Sequence, residues 1–103
     1  MANGIVYDFE WNSAKALFNM DKHGVTFDQG ATVFLDPLAL TVYDAFHSQD
    51  EERWLTVGLD AGGKLLVVAH TYKMTRPDNA RVRLISARQA TKRERRFYEN
   101  EPR

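Results

Sequence analysis

Arg53-Trp-Leu-Thr-Val-Gly-Leu59, Asp60-Ala-Gly-Gly63 and the run from Lys64 to Lys73 form the stretch on which the fold turns. Leu55, Val57 and Leu59 share one face at a period of two, which predicts a strand. Asp60-Ala-Gly-Gly63 supplies turn residues, so the next strand returns as a hairpin. That strand, Lys64 to Lys73, is expected to be the longest. Its apolar centre, Leu65-Leu-Val-Val-Ala69, asks for burial on both faces and hence a place in the middle of a sheet.

Upstream, Leu38 to Tyr43 also reads as a strand, and His47-Ser-Gln-Asp-Glu-Glu52 as an exposed acidic loop. Ile5 to Phe9 is a first short strand. Asn12 and Ser13 are good helix N-caps, and Ala14, Leu17 and Phe18 follow at the spacing of one apolar helical face. Lys22 and His23 fall in the last turn before Gly24, a residue suited to a left-handed C-cap. Thr26-Phe-Asp-Gln29 matches a capping box for a second helix through about Phe34, which Pro37 ends.

Downstream, Met74 to Ala80 reads as a loop. Val82, Leu84 and Ser86 then alternate with Arg81, Arg83, Ile85 and Ala87 on a further strand. Thr91-Lys-Arg-Glu94 opens a C-terminal helix. The expected order is β-α-α-β-β-β-β-α, an α+β fold with an antiparallel sheet in a single domain, 1–103.

Composition narrows the chemistry. A chain of 103 residues with 44% hydrophobic and 27% charged residues has room for one globular core. Its longest aliphatic run has five residues, against ~20 for a membrane span. No secretory signal is evident at the N-terminus, which suits a cytoplasmic address. The absence of cysteine excludes disulfides, thiolate nucleophiles and thiolate metal sites. His23, His47 and His70 lack the spacing of metal ligands, so no metal and no cofactor is expected.

The formal net charge of zero conceals a polarised chain. Residues 1–69 carry four Lys/Arg against ten acids, and residues 70–103 carry ten against four. A basic third is the electrostatic footprint of a phosphate partner; equally, the two halves can neutralise one another across a sheet. Arg81, Arg83 and Arg88 punctuate the last strand and its exit, and Lys92, Arg93, Arg95 and Arg96 cluster on the helix after it. Arginine beside buried aliphatics suits a phosphate clamp. Pairing with Asp44, Asp50, Glu51 or Glu52 is the structural alternative. His23 can cap its helix or titrate at a site, and His70 lies within an apolar strand, where a satisfied core or edge histidine is the commoner outcome.

Phe9-Glu-Trp-Asn12, Lys15, Asn19, Lys22-His-Gly-Val-Thr-Phe27 and Asp36-Pro37 resemble the N-terminal half of the BrnT toxin family. Glu52-Arg53, Gly58, His70-Thr71, Arg83-Leu-Ile-Ser-Ala-Arg88, Ala90-Thr91, Glu94-Arg95 and Tyr98-Glu99 continue the likeness in order. The resemblance implies a RelE-like toxin of a type II toxin–antitoxin module that cuts RNA without metal and inhibits translation. It also implies a BrnA-type ribbon-helix-helix antitoxin, held as a 2:2 heterotetramer that represses its own operon. RNA is the expected substrate, operator DNA is reached only through the antitoxin, and no membrane is involved.

On this reading Lys73, Arg83 and Arg88 are candidate clamps, and His23, Glu52 and Tyr98 candidate catalytic groups. Lys22, Arg53, His70, Arg81, Lys92, Arg93, Arg95 and Arg96 are candidate RNA contacts. Family members carry arginine where this chain has Lys73, which keeps the charge and loses the bidentate fork. A non-catalytic module that binds RNA or antitoxin is the alternative.

Overall fold

In the computed structural model the chain runs β1 (Val6–Glu10), α1 (Ser13–His23), α2 (Phe27–Thr32) and a 3-10 turn (Val33–Leu35), then β2 (Leu40–Tyr43) and a second 3-10 turn (Ala45–His47). There follow β3 (Trp54–Leu59), β4 (Leu65–His70), β5 (Lys73–Arg76), β6 (Asn79–Gln89) and α3 (Lys92–Asn100). Residues 4–102 are described; 1–3 and 103, the ends of the expected 1–103 domain, lie outside the described residues.

Helix ends fall where the local chemistry puts them. Asn12 accepts from the Lys15 amide, and Gly24 takes φ 68° to close the C-terminus of α1. Thr26 with Gln29, and Thr91 with Glu94, form complete capping boxes for α2 and α3. The β3–β4 turn is organised by Asp60, whose Oδ1 accepts the Gly62 and Lys64 amides at 2.8 Å each.

One sheet results, in the order β1-β6-β4-β3-β2, with β5 also paired to β6. It differs from the expected antiparallel sheet because β1 lies parallel to β6, with Val6 opposite Asn79 and Glu10 opposite Arg83. The helical segment after β1 carries the chain from that edge to β2 at the far edge, so the outermost strand has no hairpin partner to reverse it.

The predicted loop Met74–Ala80 is instead the β5–β6 hairpin, with Pro77 in its turn where a missing N–H breaks no ladder bond. The expected long strand is interrupted at Thr71 and Tyr72, and β6, with 11 residues, is the longest. The predicted mid-sheet burial of β4 is observed, with only Ala69 less than fully buried.

The apolar face expected on α1 points outward, with Leu17 and Phe18 exposed by 74% and 66%. Ala16 and Asn19 turn inward instead. The reason lies in β6, whose residues 84–89 extend past the end of β1 and present an unpaired edge. Asn19 completes it. Its Oδ1 accepts the Ala87 amide at 3.0 Å, and its Nδ2 donates to the Ala87 carbonyl at 2.8 Å and to the Val25 carbonyl at 2.9 Å. A side-chain amide thus replaces a neighbouring strand.

The main core, Val25, Phe27, Val33, Leu66, Val68, Val82, Leu84 and Ala87, lies between the sheet and the N-terminal helices. A smaller core of Val57, Leu65, Val67 and Tyr98 lies under α3 on the opposite face.

Asn19→Ala would strip partners from the buried Ala87 amide and carbonyl together. We expect a loss of about 2–4 kcal/mol in urea unfolding, against about 1 kcal/mol for Asn12→Ala at the exposed cap.

Candidate functional site

Strand β6 carries the basic residues, and a bulge decides where they point. Ala69 pairs with Ser86 but His70 with Leu84, which leaves Ile85 as an extra residue. Strict alternation would set Ser86 with Val82 and Leu84, and Ala87 with the arginines. The bulge reverses that parity, so Ala87 joins Val82 and Leu84 in the main core. Arg88 then stands beside its strand partner Val67, on the α3 side of the sheet, with Arg81 and Arg83.

Each of these arginines meets a carboxylate. Arg81 lies 3.6 Å from Glu10, and Arg83 bonds Glu51. Arg88 is held at both nitrogens by Glu94, at 2.8 and 2.9 Å. Glu94 also accepts the Thr91 amide as part of the capping box, so this pair ties the start of α3 to the sheet. The Arg88 bond holds the Glu94 carboxyl down at about 2. Lys73 stands directly across from Arg81; like charges so opposed favour an anion between them.

The β2–β3 loop brings Glu51, Glu52 and Arg53 to this face. Its base is closed by Ser48, whose hydroxyl donates to the Asp44 carbonyl at 2.6 Å and accepts the Arg53 amide at 2.8 Å. Glu51 reaches Arg83 and lies 3.9 Å from Arg53. The Arg83 hydrogen bond holds its carboxyl below the ordinary carboxylate range, with Arg53 and Lys15 adding to the effect. Glu52 is exposed in the same loop.

A shallow pocket of about 220 Å³ lies between α1 and the bulge, lined by Lys15, Phe18, Lys22, His23, Ile85 and Ser86 among others. His23 is half-buried there, and the Lys22 ammonium sits 5.9 Å from the Phe18 ring centre. Lys15, a pocket residue, is also the weakest of the cations that lower the Glu51 pKa. Neither Lys15 nor Glu51 was among the candidate residues. Lys15, Asn19, Lys22 and His23 share one helical stripe, a periodicity that could have exposed Lys15.

Two candidates lie apart from this cluster. His70 is a core residue, 1% exposed, with Nε2 at 2.7 Å from the Thr56 hydroxyl and Nδ1 at 2.8 Å from the Thr71 carbonyl. Burial lowers its pKa and keeps the ring neutral. Its Phe34 contact and its pairing opposite Leu84 place it on the main-core face, away from the arginines. Tyr98 is buried in the smaller core, and its hydroxyl donates to Asp36 at 2.6 Å. Lys92, Arg93, Arg95 and Arg96 are exposed on α3, with Arg95 3.7 Å from Glu99. Among the described residues no three His, Asp or Glu side chains are grouped to hold a metal ion.

A family model described as "Ribonuclease toxin, BrnT, of type II toxin-antitoxin system" matches residues 11–94. The chain belongs to the BrnT family. Membership makes it a ribonuclease toxin whose type II system supplies a protein antitoxin as partner. The crystal structure of the Brucella abortus ribonuclease toxin BrnT superposes with a TM-score of 0.58 at 20% identity, over 84% of this chain and 100% of that one. That likeness shows a shared mixed α+β fold. A search of curated protein sequences finds no match. No helix among the described residues is long and apolar enough to cross a membrane.

In this BrnT chain the Arg88–Glu94 pair has a pH signature. The folded-state pKa of Glu94, about 2, lies below its ordinary 4.5. Its contribution to stability is therefore full above pH 4.5 and is lost as pH falls toward 2. Thermal melts of wild type and Glu94→Gln are expected to differ near neutrality and to converge across that acid window.

Proposed function

We propose that this BrnT-family protein is a metal-independent endoribonuclease that cuts RNA through attack by the ribose 2′-hydroxyl. The observation that carries the reading is the Ile85 bulge, which sets Arg83 and Arg88 on one face beside the pocket of Lys22 and His23. In such a reaction the 2′-oxygen attacks the adjacent phosphorus while its proton passes to a base. The bond to the 5′-oxygen then breaks, and that oxygen takes a proton, leaving a 2′,3′-cyclic phosphate and a 5′-hydroxyl.

Cations aimed at the pentavalent phosphorus stabilise its developing charge. Arg83 and Lys73 serve as clamps on this reading, with Arg88 fixed by Glu94 behind them. Arg81, Lys22 and Arg53 bind flanking phosphates, and Lys92, Arg93, Arg95 and Arg96 extend the electrostatic field along α3. On this reading His23 and Glu52 carry the protons. His70 and Tyr98 act on the fold rather than on substrate, because both are buried and already hydrogen-bonded.

The same reading gives the protein a cytoplasmic address, a RelE-like fold, inhibition of translation by cutting RNA, and a BrnA-type ribbon-helix-helix antitoxin. The antitoxin dimer presents two equivalent toxin sites, so a 2:2 complex that represses its own operon is proposed. Acidic antitoxin residues on the Arg81–Arg96 surface would make association fall as salt rises.

RNA incubated with the purified protein in EDTA should be cut to cyclic-phosphate ends. Arg83→Ala should lower kcat/KM by about a hundredfold, the scale for losing one charge-stabilising donor. Full activity in a folded Arg83→Ala/Arg88→Ala variant refutes the clamp, and loss of activity in EDTA refutes the metal-free route. Binding without cleavage would favour a non-catalytic module, a reading that draws support from the internal pairing of Arg83 and Arg88.

A further inference from the structure

The β2–β3 loop holds a carboxylate where a basic face would hold a phosphate. Glu51 bonds Arg83, lies 3.9 Å from Arg53 and is under the electrostatic influence of Lys15. Two cations from distant segments thus meet one carboxylate. To such a cluster a carboxylate and a phosphodiester look alike, each offering two oxygens that share one negative charge. The cluster is also under-filled, since the Arg53 Nε is shut off from solvent and has no hydrogen-bond partner.

The loop is held at its base, where the Asp44 amide donates to the Arg53 carbonyl at 2.8 Å and Ser48 bridges both ends. Displacing Glu51 from Arg83 leaves those bonds intact. An exposed ion pair is also weak enough for an incoming anion to displace.

We propose that Arg83 and Arg53 form a phosphate subsite for an RNA strand, and that Glu51 is its built-in occupant, displaced when the strand binds. The ligand in this proposal rests on the ribonuclease reading above. Glu51 then acts as a filter. A lone phosphate must outcompete a tethered carboxylate, whereas a strand held at neighbouring cations brings its next phosphate in at high effective concentration.

The test uses a 2′-O-methyl oligonucleotide, which lacks the attacking hydroxyl and reports binding alone by fluorescence anisotropy. Glu51→Gln should bind it about two- to fivefold more tightly, the equivalent of an exposed ion pair. Asp50→Asn, which changes net charge identically at a carboxylate outside the Arg83 and Arg53 ion pairs, should gain less. In an Arg83→Ala background the Glu51→Gln gain should shrink, and Arg53→Ala should weaken binding. Unchanged or weaker binding by Glu51→Gln, or an equal gain from Asp50→Asn, overturns the proposal. Cleavage of unmodified RNA by the same variants separates the two readings. The expected binding pattern without cleavage keeps the subsite and defeats the nuclease; cleavage without the pattern does the reverse. A chain that neither binds nor cuts defeats both.

Discussion

The fold depends on the paired hydrogen bonds between Asn19 and the backbone of Ala87. They close the only stretch of β6 that neither β1 nor any other strand pairs on that side, and they fix α1 against the sheet. Exposed strand edges invite other chains, and a buried unpaired amide is costly. One side-chain amide answers both problems. It also sets the rotation of α1, so that Lys15, Phe18, Lys22 and His23 face the β6 bulge while Leu17 is left in solvent. The pocket is therefore a by-product of edge protection, located by the same contact that stabilises the sheet.

Charge is arranged around that frame in two ways. Arg88 and Glu94 are six residues apart and linked through a helix cap, so their pairing is local and structural. Arg81 and Arg83 instead draw carboxylates from the acidic part of the chain, Glu10 and Glu51. The opposed halves of the sequence do neutralise one another in part, and they do so on the face that carries the basic residues. Neutralisation and phosphate binding are compatible, because exposed ion pairs contribute little and exchange readily.

Much of the fold is legible along the chain because it is written in short-range chemistry. The caps at Asn12, Thr26 and Thr91, the Gly24 stop and the Asp60 turn each depend on residues within four positions, and each is observed. The double-sided burial of β4 follows from composition alone. The site is less legible. Arg83, Arg88, Arg53 and the Lys22-His23 pair stand out by charge and motif, but the carboxylate that joins Arg83 to Arg53, Glu51, meets Arg83 only across a long separation that no local pattern encodes. His70 shows the core role that an apolar strand makes the commoner outcome, and its burial removes it from the candidate RNA contacts.

The sequence by itself therefore determined the element types, their caps, the hairpin, the absence of thiol chemistry and the presence of a basic C-terminal third. Those properties depend on residue identity and near neighbours. Tertiary structure decided the parallel placement of β1, the β5 hairpin, the inward turn of Asn19 and the face on which Arg88 lies. The last of these shows the physical reason most plainly. A single extra residue at Ile85 reverses every side chain beyond it, and whether a strand bulges is settled by its partner's register and not by its own sequence.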